Sequence, residues 1–156
     1  MNIWLKIDKI SYNNESQLLQ GLKEKNYQTS HWIDNIFEKK QARLDNLQLP
    51  INLYRIKLED LGFNGPTELK DFYEKAINSG FKLLEPEVAL LARELYTNQP
   101  TGEWLRFATP LKSMIDTDGV PHLPKLGKAL GKFFVETYWS YPKAIFHPHN
   151  EFVLSK

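Results

Sequence analysis

Asp116-Thr117-Asp118-Gly119 sets two carboxylates one residue apart just before a glycine, the spacing with which many calcium loops begin. A complete loop also needs a glutamate at its twelfth position. Counted from Asp116 that position is Gly127, and counted from two residues earlier it is Lys125, so the ligand set fails. Asp and Gly are equally what a tight turn demands, and the stretch reads as a turn between extended segments. The imidazoles are His147 and His149 around Pro148, with His122 farther off and His31 beside Trp32. Imidazole is the commonest metal ligand. Proline, however, should hold this backbone extended and send the two flanking rings in different directions. An exposed loop ahead of a last strand is the expectation, with no metal site and no cofactor. The chain has no cysteine, which excludes disulfides, thiolate chemistry and cysteine-bound zinc. No serine lies in Gly-x-Ser-x-Gly, so no catalytic residue is assigned.

Side chains suited to binding are plentiful. On a strand, Trp104 and Arg106 share one face while Glu103 points to the other. Such a pair can stack on a partner's side chain, a base or a sugar; alternatively Trp104 caps the core and Arg106 pairs with Glu87 or Glu94. Tyr138, Trp139 and Tyr141 add aromatic anchors farther along, and Tyr, Trp and Arg dominate interface hot spots. Lys125, Lys128 and Lys132 lie in a stretch without acids, spaced by Gly127 and Gly131 and followed by Phe133 and Phe134. That ribbon could follow a phosphate backbone, or it could be a hairpin whose lysines guard an edge.

The elements that must position these groups follow from periodicity. Ile3, Leu5 and Ile7 alternate as a short strand. Asn14 can cap a helix through Gln17 that carries Leu18, Leu19 and Leu22 on one side. A second helix starts near Ser30, with Ile33, Ile36, Phe37 and Leu44 inward and Asp34, Glu38, Lys39 and Arg43 outward. Residues 1–49 thus read as a helical hairpin with one leading strand, closed by Pro50. Asn52, Tyr54, Ile56 and Leu58 then share a strand face opposite Arg55 and Lys57. Gly65-Pro66-Thr67 should open a helix with the apolar set Leu69, Phe72, Tyr73, Ala76 and Ile77, ended by Gly80. A Pro86 helix is apolar on more than one stripe. Leu105 and Phe107, the run 132–139 and the run 151–154 read as strands.

These signals give an α+β protein of one domain over residues 1–156. Its helices fill the N-terminal two-thirds and pack on an antiparallel sheet of about four to six strands, formed mainly by the C-terminal third. The 156 residues suffice for a core without covalent staples. With 20 basic and 19 acidic residues the net charge is +1, which gives little long-range attraction for nucleic acid or anionic lipid. The N-terminus lacks a signal-peptide pattern and no apolar run is long enough to span a bilayer, so a cytoplasmic place is expected.

Gly80, Pro86, the run Gln99-Pro100-Thr101-Gly102-Glu103-Trp104-Leu105 and Asp116-Thr117-Asp118-Gly119 together resemble a set of uncharacterised bacterial proteins. The resemblance implies that these turns belong to one fold; it implies no activity. The functional expectation is a non-catalytic interaction or accessory protein that binds a protein partner, or a second copy of itself, through Trp104, Arg106, Tyr138, Trp139 and Tyr141. The alternatives are nucleic-acid binding through Lys125, Lys128 and Lys132, and a small metal-dependent hydrolase built on clustered acids or His122, His147 and His149.

Overall fold

Short alternations, Pro and Gly punctuation and a few strong helical stripes build, among the described residues, nine strands and four α-helices around one large sheet. A computed structural model of the chain describes residues 1–40 and 44–156. In chain order the elements are β1 (Leu5–Ile7), α1 (Glu15–Glu24), β2 (Gln28–Thr29), α2 (His31–Lys40), β3 (Ile51–Lys57), β4 (Thr67–Glu68) and α3 (Leu69–Asn78). Then come α4 (Glu87–Leu95), β5 (Trp104–Phe107), β6 (His122–Ala129), β7 (Lys132–Trp139), β8 (Ile145–Phe146) and β9 (Glu151–Ser155). The seven-stranded sheet runs β1-β3-β9-β5-β6-β7-β2, and β4 pairs with β8 alone.

The α+β class holds, but the expected layout needs correcting. Three strands of the sheet come from the first 57 residues, and β5–β9 and β2–β7 are parallel pairings. β2 contributes only Gln28 and Thr29, laid against Phe134 and Val135, and two residues are too few to show a period. The N-terminal helices are not a hairpin set apart. Leu18, Leu22, Ile33, Ile36 and Phe37 share a buried cluster with Val88 to Ala92 of α4 and with Leu53, Leu105, Leu126, Val135 and Val153 of the sheet. Every residue of α4 from Glu87 to Arg93 is buried, as its several apolar stripes foretell. Asn14 Oδ1 accepts the Gln17 N–H at 2.9 Å, so that cap forms as read. Arg43 of the expected outer face of α2 lies outside the described residues.

A second cluster lines the opposite face, where Leu69, Phe72, Tyr73 and Ala76 of α3 meet Ile56, Leu123, Phe152 and Leu154. Pro66 does not open this helix. Thr67 and Glu68 pair with Phe146 and Ile145, and α3 begins at Leu69. The 142–144 turn supplies the missing cap, since the N–H groups of Leu69 and Lys70 donate to the carbonyls of Ala144 and Pro142. Ile77, expected inside, is 51% exposed. α3 and the β4–β8 pair cover the β3 and β9 side of this face. Toward the β6–β7 hairpin the same face lies open.

Candidate functional site

The open face begins at a glycine. Gly127 on β6 stands opposite Trp104 on β5 and Phe134 on β7. A Cβ built on Gly127 would come within 2.2 Å of the Trp104 ring, so the indole lies across the glycine and nothing larger fits beneath it. Trp104 is 36% exposed and its ring sits 6.1 Å from that of Phe134. Neither contact belongs to the core.

The next row along the same face is Arg106, Lys125 and Glu136, aligned across β5, β6 and β7. Its cations alternate with aromatic rings. Lys125 Nζ is 4.8 Å from the Trp104 ring centroid and 5.5 Å from that of Tyr138. The Arg106 guanidinium is 4.7 Å from Tyr138 and 5.4 Å from Phe146. Trp104, Lys125, Tyr138, Arg106 and Phe146 thus form a continuous ladder, each rung a ring–cation contact of about 0.5–2 kcal/mol.

The ladder carries an electrostatic cost. Like charges directly opposite on neighbouring strands repel. Among the described residues, neither Arg106 nor Lys125 makes an ion pair or a hydrogen bond, and Arg106 Nε is buried without a partner. The alternative pairing with α4 does not form: Glu87 takes Lys40 at 2.8 Å, and Glu94 takes Lys25 and the Tyr12 hydroxyl. Burial pushes the Arg106 guanidinium below its usual range. Burial and then the neighbouring Arg106 push Lys125 down, with Glu136 opposing them.

Residues of the resemblance turn serve the other face, where they build a scaffold. Arg93, fully buried, donates to Gln99 Oε1 and the Tyr96 carbonyl at 2.7 Å each, and to the Gly127 and Phe134 carbonyls at 3.1 and 3.3 Å. Its ring contacts are Phe133 at 4.6 Å and Tyr96 at 6.0 Å. Gln99 in turn donates to the carbonyls of Glu103 and Leu126. Arg55 binds Glu103 at 3.0 Å, Glu151, and the Tyr96 hydroxyl at 3.2 Å. Burial works against that charge, but the two carboxylates outweigh it and hold Arg55 above its usual range. Arg93 therefore ties α4 to the backbone of the same β6–β7 row that carries Trp104 over Gly127.

The loop with paired aspartates is the turn that its residues suggest. Asp116 Oδ1 accepts the N–H groups of Asp118 and Val120 at 2.9 Å each. Its other oxygen accepts from His122 Nε2 at 2.9 Å, and His122 Nδ1 meets the Thr137 hydroxyl at 3.0 Å. The order hydroxyl, imidazole, carboxylate is that of a nucleophile relay. Here the imidazole is 2% exposed and lies under the Trp32 ring at 5.2 Å, so the relay is closed to a substrate and serves to fasten the loop. His147 and His149 correct the expectation of diverging rings: their planes are 11° apart with centroids at 6.1 Å. The bond from the His147 N–H to Asn150 Oδ1 turns the backbone there. Among the described residues no three His, Asp or Glu side chains gather as metal ligands.

The expected binding residues divide. Trp104, Arg106 and Tyr138 converge on the ladder. Trp139 alternates to the opposite face, where it pairs across the strands with His122 and is 60% exposed. Tyr141 is 45% exposed in the turn beyond β7. The lysine ribbon divides too: Lys125 joins the ladder, Lys128 sits over Phe133 at 5.1 Å on the reverse face, and Lys132 opens β7 beside the hairpin turn. Sequence reasoning missed Gly127, Arg55 and Arg93; a glycine inside an extended run was the available signal for Gly127, while its tryptophan partner is set by strand register. Comparisons with protein-family models, with curated proteins and with solved structures find no match to this chain.

Proposed function

We propose that the protein is a non-catalytic interaction module that docks a partner protein on the open half of its sheet, with Trp104, Arg106, Lys125 and Tyr138 as anchors. One observation carries the reading: two half-buried cations face each other across β5 and β6 with aromatic rings on both sides, neither makes an ion pair among the described residues, and Glu136 beside Lys125 is the single carboxylate in their row. Such an arrangement costs stability in the free protein and is offset when a partner supplies the missing charge. Aromatic and arginine anchors held on rigid strands are also what interface hot spots use. Trp139 points to the opposite face and Tyr141 lies in the turn beyond β7, so neither joins the ladder of rings and cations.

Nucleic-acid binding is the second reading. Trp104 and Phe134 give it a stacking platform with Lys125 beside it and Lys132 two residues from Phe134 on the same strand face, but Lys128 lies on the reverse face and a net charge of +1 adds no field. Among the described residues no helix is long and apolar enough to cross a membrane. The test is crosslinked partner recovery from the native source with Trp104→Ala and, as a control outside the ladder, Tyr141→Ala. The proposal expects Trp104→Ala to lose the partner and Tyr141→Ala to keep it. Equal recovery by both variants and the parent chain overturns it.

A further inference from the structure

The ladder has a fixed spacing, and that spacing selects a ligand. Trp104 and Arg106 are two residues apart on β5, so their side chains leave the same face about 6.7 Å apart along the strand. An extended peptide presents its own same-face side chains at the same interval. Across the strands, Phe134 widens the Trp104 position into an apolar shelf, and Lys125 widens the Arg106 position into a two-cation seat. The seat is closed on one side by Glu136 and on the other by the buried ring of Phe146.

Resting on the docking reading above, we infer that the face recognises an extended segment bearing an apolar residue and an Asp or Glu two positions apart. The apolar side chain lies on Trp104 and Phe134, and the carboxylate sits between Arg106 and Lys125. Arginine offers a planar fork that matches a carboxylate, and the Arg106 guanidinium makes no hydrogen bond among the described residues. The seat holds two cations with an acid at its border, which suits one carboxylate. A phosphate backbone needs a continuing row of cations, and here the row ends at Glu136, Lys128 points away, and Lys132 stands apart at the hairpin end of β7 beyond Phe134.

The experiment is an amide and indole NMR titration of the full chain with the synthetic peptide Gly-Leu-Ser-Glu-Gly, capped at both ends. Its counterpart has Gln in place of Glu. The Glu peptide should shift the Trp104 indole and the amides of Arg106 and Lys125, saturating on the order of 1 mM. The Gln peptide should bind about tenfold more weakly, and Lys125→Gln should remove that difference. Arg106→Lys, which keeps the charge, guards against loss of fold and should retain part of the preference.

Equal binding of the two peptides overturns the acidic seat while leaving the docking face standing. No shift of Trp104 by either peptide, under conditions where the fold is intact, overturns both. Inorganic phosphate that reproduces the shifts at equal concentration overturns the peptide assignment, because a free anion would then suffice. A ten-residue oligothymidylate that binds more tightly than the peptide overturns it in favour of a nucleic acid.

Discussion

Arg106 of β5 stands directly opposite Lys125 of β6, and no carboxylate comes between them. Cross-strand neighbours of like charge repel by several tenths of a kcal/mol, and partial burial strengthens the effect. A double-mutant cycle with Arg106→Gln and Lys125→Gln should therefore return a repulsive coupling of about 0.5–1 kcal/mol in urea unfolding, reduced by added salt. A zero or attractive coupling would mean that the pair is already neutralised in the free protein.

Gly127 should tolerate no side chain. An alanine Cβ would meet Cε3 and Cζ3 of Trp104 at 2.2 Å, so the indole must lift off the sheet. Gly127→Ala should cost about 1–3 kcal/mol and shift tryptophan emission to longer wavelength. Trp104→Phe, with a smaller ring over the same glycine, should restore part of the stability in the Gly127→Ala background. Unchanged emission in Gly127→Ala would show that Trp104 does not rest on the glycine.

Arg93 is the strongest single tie between α4 and the ladder strands. Its removal leaves Gln99 Oε1 and the Tyr96 carbonyl, both 2.7 Å from the guanidinium, without their donor in a buried site. Arg93→Ala should cost about 3–5 kcal/mol, and Arg93→Lys should recover less than half, because one ammonium cannot span four acceptors. A loss under 1 kcal/mol for the alanine variant contradicts this account.

The Asp116–His122 bond gives the acid limb of stability. The hydrogen bond from His122 leads, burial opposes it, and the Val120 and Asp118 amides add to it, with a net hold on Asp116 below the usual carboxylate range. The unfolded chain then takes up this proton first, near pH 4, while the folded protein resists it. The stabilisation is present above that pH and is lost as pH falls through the lower folded value. Asp116→Asn should lower stability at pH 7 and flatten the fall below about pH 4, in chemical unfolding measured from pH 7 to pH 2.5. Parallel curves for the two proteins would remove Asp116 from the acid response.

Local signals carried most of the elements. The Asn14 cap, the buried Pro86 helix, the Asp116 turn and the β6–β7 hairpin all form where residue type and spacing place them. β2 was illegible because Gln28 and Thr29 become a strand only through the partner at Phe134 and Val135. The start of α3 was misplaced for a related reason: Pro66 is a good first-turn residue, but Thr67 and Glu68 gain more by pairing with β8. For the site, one-strand alternation brought Trp104 and Arg106 together correctly. It could not show that Lys125 would be their cross-strand neighbour, because register is a property of two strands. The same alternation already sets Trp139, one residue after Tyr138, on the other face, so grouping the two as joint anchors ran against a signal in the sequence.

The most direct measurement of the docking face is amine labelling of Lys125 and Lys128 by mass spectrometry, in purified protein and in native extract. The account predicts that extract slows labelling of Lys125 severalfold relative to Lys128, and that Trp104→Ala abolishes the difference. An unchanged Lys125-to-Lys128 ratio in extract would contradict a partner on this face.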